Sequence, residues 1–138
     1  MKLLGFSFDK ISIEKISNLP NNLKINTNVD LPEVKKADAD FIKEKEEIIA
    51  VKFIFTVDYS PDFAKVELKG TILISVDSKT AKDILKQWKD KKIPEKFKFA
   101  AFNIILRKAN VKALQLEEEM GLPLHITLPY LKKQDEKE

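Results

Sequence analysis

The sequence predicts an α+β domain: a four-stranded antiparallel sheet followed by a short and a long C-terminal helix packed on one face. Three observations lead there. Apolar and polar residues alternate through four separate runs up to Val76, the pattern of strands with one wet face. The last two runs are joined only by Ser60, Pro61 and Asp62, a connection short enough for an antiparallel hairpin and too short for a crossover. Beyond Val76 the apolar period lengthens from two to that of a helix, until Gly121 and Pro123 supply a stop.

Residues 3–16 read as a strand that changes face midway. Leu4, Phe6 and Phe8 alternate on one side, and Ile11, Ile13 and Ile16 take up another phase, which predicts a bulge near Asp9 and Lys10. After the turn residues SNLPNN, Leu23, Ile25, Val29 and Leu31 alternate with polar neighbours, and this half-buried strand is expected to end at Pro32. The polar stretch from Glu33 to Glu47, with Val34, Phe41 and Ile42 as its main apolar residues, reads as an excursion or the exposed beginning of the next strand. Ile49, Val51, Phe53, Phe55, Val57 and Tyr59 then make one unbroken apolar face. Ala64, Val66, Leu68, Ile72, Ile74 and Val76 make another, alternating with Lys65, Glu67, Lys69 and Ser75.

Asp77 or Ser78 can cap the short helix, whose Ala81, Ile84, Leu85 and Trp88 recur at helical spacing. Pro94 and Glu95 open the long helix, which runs to Glu119. At about 100° per residue its apolar side chains divide into two faces. Phe97, Ala101, Ile104 and Ile105 form one, expected to lie on the sheet. Phe99, Phe102, Leu106, Ala109 and Ala113 form the other, expected to meet a second copy of the chain. Beyond it LPLHITLPYL alternates in strand fashion, but two prolines confine it to a sheet edge or a surface groove. Residues 131–138 read as a frayed charged tail of one domain spanning 1–138.

Composition narrows the function. The chain has no cysteine, which closes disulfide, thiol and cysteine-ligated metal chemistry. Its net charge is only +3 and Arg107 is its sole arginine, so the fork-shaped cation that dominates nucleic-acid recognition is nearly missing, and no nucleic-acid partner is expected. No run is long enough for membrane insertion, and a cytoplasmic location is expected. Three glycines and one histidine give no phosphate loop, catalytic constellation or cofactor site. His125 reads as a surface or packing residue, Glu117, Glu118 and Glu119 as a solvated helix end, and Trp88 as a core anchor. Asp58 and Asp62 fit turn chemistry better than acid–base work.

The strings ISIE at Ile11–Glu14, LPEVK at Leu31–Lys35 and VELKGTILISV from Val66 stand in an order that resembles the SecB and SecB-like chaperones. The likeness spans residues 3–131. It implies an ATP-independent holdase that keeps unfolded polypeptide clients in hydrophobic grooves, serves protein export in the family, assembles as a dimer of dimers through its long helices, and needs no cofactor. On that likeness, Val34, Phe41, Phe99, Phe102, Leu124, Ile126 and Tyr130 are the candidate client contacts, and Phe99, Phe102, Leu106, Ala109 and Ala113 the candidate oligomer interface. The sequence departs from the family where Lys65 replaces an apolar residue on the face that docks the motor SecA, and where KKADAD replaces apolar positions. These departures point to a general holdase without SecA docking. The alternative from another class is a dedicated interaction module, such as an antitoxin-associated chaperone, on the same scaffold.

Overall fold

The computed structural model describes residues 1–38 and 46–133. Strands β1 (Lys2–Lys15), β2 (Lys24–Ala37), β3 (Glu46–Ser60) and β4 (Ala64–Asp77) precede helices α1 (Ser78–Trp88) and α2 (Glu95–Met120). The sheet has the order β1-β4-β3-β2, with every neighbouring pair antiparallel. α1 rests on β2, β3 and β4, and α2 on β3 and β4.

The two central strands carry the core because they carry the longest alternation. Ile49, Val51, Phe53, Phe55, Val57 and Tyr59 on β3, with Val66, Leu68, Ile72 and Ile74 on β4, are all buried against the helices. Burying each such side chain fully contributes about 1.5–3 kcal/mol. Gly70 is the exception in this layer: a Cβ there would collide with the Ser7 carbonyl and the Phe53 ring. Its missing side chain lets Phe53 lie across β4 and join Phe6 and Phe8, with ring centroids 5.0–6.3 Å apart.

The bulge expected near Asp9 is present. The pairing of β1 with β4 slips between Phe8 and Lys10, and the Thr71 hydroxyl donates to the Asp9 carboxylate at 2.8 Å. A second slip lies between Leu3 and Gly5.

β2 corrects an expectation. It does not end at Pro32 but continues to Ala37, with an extra residue accommodated between Asp30 and Glu33. Proline lacks an N–H, yet β2 is an edge strand, so its missing donor breaks no inner ladder and the bulge absorbs the ring. The chain then re-enters the sheet with Val34 opposite Val51. Val34, expected at a client groove, is only 3% exposed and belongs to the core. Phe41 lies outside the described residues.

α1 begins as expected, with the Thr80 backbone N–H donating to the Asp77 carboxylate at 2.6 Å. Bonds from the Thr80 side chain and backbone hold the Asp77 carboxyl below its ordinary range. Ala81 and Ile84 are buried while Leu85 and Trp88 are half-buried. α2 stops at Gly121, whose φ of 65° is the left-handed cap glycine favours.

Ala109 and Ala113 require a second correction. Expected on the outward face, both are fully buried within the chain. The buried residues of α2 are Phe97, Ala101, Ile105, Ala109, Ala113 and Glu117, a stripe that advances by four residues and so winds by about 40° at each step. Alanine at three of those positions lets the helix backbone approach closely. Outside the stripe lie Phe99, 63% exposed, Val111, 61% exposed, and the half-buried Phe102 and Leu106.

Candidate functional site

A cleft of about 640 Å³ opens where β2, the α1–α2 connection and the start of α2 converge. β2 supplies Val29, just before its bulge, and Leu31 within it, α1 ends on Trp88, the connection contributes Ile93, and α2 adds Phe102. All five are half-buried, so the floor is apolar but reachable. Three exposed lysines line the rim: Lys91, Lys92 and Lys98. The Lys91 ammonium sits 4.8 Å from the Trp88 ring centroid and that of Lys98 6.0 Å from Phe102. Lys91 reaches its place through a left-handed turn, φ 59°, with its N–H bonded to the Trp88 carbonyl at 2.8 Å.

The candidate residues read from the sequence do not converge on this cleft. Phe102 lines it, and Phe99 is exposed elsewhere on the same helix. Leu124, Ile126 and Tyr130 lie on the segment after α2, which forms no strand; Leu124 is half-buried, Ile126 is 37% exposed and Tyr130 68%. The sequence reading missed Ile93 and used Trp88, Val29 and Leu31 only as core. The available signal was Pro32: a proline inside a strand marks an edge that bends, and a bent edge leaves room beside it.

The segment after α2 is anchored by a buried polar cluster that also corrects the reading of the helix end. Glu117 is fully buried, not solvated. Its Oε1 accepts from the His125 backbone N–H at 3.0 Å and lies 2.8 Å from His125 Nδ1. Oε2 stands 2.8 Å from the same ring nitrogen, and both side chains are essentially sealed from water, at 0% and 1% exposure. His125 Nε2 lies 2.8 Å from the Asn110 amide oxygen, and the ring packs edge-on against Phe55. The Tyr59 hydroxyl donates to the Pro123 carbonyl. Burial, and then the neighbouring Glu117 carboxylate, push the Tyr59 phenol far above its ordinary pKa. The cluster is sealed, which suits clamping the segment and gives no access to a substrate.

On the sheet face away from the helices, Lys10 bonds Glu67 at 2.6 Å and holds its carboxyl below the ordinary range. Among the described residues no group of three histidine or acidic side chains could hold a metal ion, and no helix is long and apolar enough to cross a membrane.

The strand order, with its bulged edges, single helical layer and clamped extension, can be set beside solved structures. The chain is similar to the Mycobacterium tuberculosis Rv1957 SecB-like chaperone in complex with a ChAD peptide from the Rv1956 HigA1 antitoxin. The likeness has a TM-score of 0.54 at 14% identity and covers 95% of this chain and 87% of that one. The chain has a SecB-like fold. No protein-family model matches the sequence, and no curated protein matches it significantly. At this identity the SecB-like likeness is one of architecture, and the residues of the cleft are this chain's own.

Proposed function

We propose that this SecB-like chain is a chaperone that holds apolar segments of non-native polypeptide without nucleotide, with the cleft beside β2 as its primary contact. The observation that carries the reading is the cleft itself: an apolar, aromatic floor of Trp88, Ile93, Leu31 and Phe102 that stays reachable in the folded chain. Polar-rimmed apolar surface of this kind suits a polypeptide partner. Ile126, Leu128 and Tyr130 on the extension add exposed apolar surface for a long client. The outward residues of α2, Phe99 and Val111, with the half-buried Leu106 beside them, are the face we assign to a second copy of the chain. Lys10 already engages Glu67, which Lys65 and Lys69 flank, so the outer sheet face favours general holding over delivery to an export motor.

A second reading, a module dedicated to one partner, draws on the antitoxin peptide held by the Mycobacterium protein. One experiment addresses both. A slowly refolding, aggregation-prone enzyme is diluted from denaturant without nucleotide, and light scattering is followed. Suppression at roughly one assembly per client is expected. Undiminished scattering would overturn the general holdase and leave the dedicated module.

A further inference from the structure

Resting on that reading, we infer that the cleft selects apolar segments flanked by acidic residues. The rim decides this. Lys91 and Lys98 hold their ammonium groups over the two aromatic rings of the floor, Trp88 and Phe102, so a side chain seated on either ring has a cation beside it. Lys92 adds a third on the same margin.

Acidic residues nearby weaken this field without cancelling it. Asp30 borders the cleft but stands opposite Ile54 in the β2–β3 register, alternate to the buried Phe53 and Phe55, which turns it to the sheet face away from the helices. Glu33 is engaged first by Lys35 at 3.2 Å, with Lys52 at 4.0 Å, and only more weakly by Lys91. Glu95, in the first turn of α2, is the remaining lining carboxylate, one acid against three lysines on the rim. A client with Lys or Arg beside its apolar core would set like charges against three ammonium groups, and one with Asp or Glu would be drawn in.

Exposed ion pairs are individually weak, so the selectivity should be moderate and salt-sensitive: on the order of tenfold between acidic and basic flanks at low ionic strength. Trp88 makes this measurable, since it is the chain's one tryptophan and it lies in the cleft. Three fluorescein-labelled, tryptophan-free peptides share a core of leucine, isoleucine and phenylalanine and carry aspartate, serine or lysine flanks. Each is titrated into the full-length chain, reading peptide anisotropy and Trp88 emission together.

The aspartate-flanked peptide should bind tightest and the lysine-flanked one weakest, with the gap closing as salt rises. A Lys91→Glu, Lys92→Glu, Lys98→Glu variant should invert the order. Equal affinities, or tighter binding of the lysine-flanked peptide, overturn the charge rule while client holding stands. Binding seen by anisotropy without a Trp88 response places the contact elsewhere and overturns the cleft assignment. Failure of all three peptides to bind overturns the holdase reading beneath it.

Discussion

Tyr59 shows what a single buried hydroxyl does in this fold. It closes the floor under the extension by donating to Pro123, and burial with the Glu117 carboxylate keeps its phenol neutral well above the ordinary value near 10. A folded pKa above the unfolded one means that the native state retains a proton the unfolded state gives up. Its contribution is therefore complete below about pH 10 and is lost as the pH rises beyond it. Denaturant titrations across the alkaline range should show stability falling above that pH, with phenolate absorbance reporting one tyrosine that ionises late. In Tyr59→Phe the alkaline decline should flatten; an unchanged slope would assign it to other groups.

At the scale of elements, the extension after α2 is held by the buried Leu122, the Tyr59–Pro123 bond and the Glu117–His125 pair. In His125→Ala the buried Glu117 carboxyl keeps the backbone N–H of residue 125 but loses the imidazole, and leaving a sealed polar group short of a partner costs about 1–3 kcal/mol. Adding Glu117→Gln to that variant puts a neutral amide where the carboxyl has lost the imidazole and should restore part of the loss. Hydrogen exchange of residues 122–131 should accelerate in the single variant while that of β3 and β4 changes little. Equal acceleration everywhere would mean that the pair supports the whole core and not the extension.

The same elements show what a sequence can disclose. The strands β3 and β4, the bulge near Asp9 and both helix ends were legible, because period-two alternation, turn residues and caps are local signals. The passage of β2 through Pro32 was not, since it depends on β2 being an edge, which is a property of the sheet. Ala109 and Ala113 were misplaced because a fixed helical face ignores a stripe that winds by fours. Carried one step further, that stripe reaches Glu117. Its burial was hidden because its partner, eight residues away, sits on a segment whose strand-like alternation forms no strand and whose fold back over α2 is a tertiary event. The cleft escaped notice for a related reason: three elements contribute its floor, and none of them looks unusual alone.

At the scale of the molecule, the exposed large apolar side chains among the described residues fall mainly in four places: β1 at Leu3, Leu4 and Ile11, the β1–β2 connection at Ile16 and Leu19, α2 at Phe99 and Val111, and the extension at Ile126, Leu128 and Tyr130. The net charge of +3 gives only weak repulsion between copies, so the apolar faces are free to meet. A chain that assembles through α2 while leaving its clefts open would present several client contacts on one particle, and a long unfolded polypeptide could engage more than one, raising avidity without new chemistry. The claim that this fold assembles and holds non-native chains is tested most directly by native mass measurement, with and without an unfolded polypeptide and with no nucleotide present. The account predicts an assembly of more than one copy that gains the mass of a client chain. A monomer whose mass is unchanged by the client would contradict it.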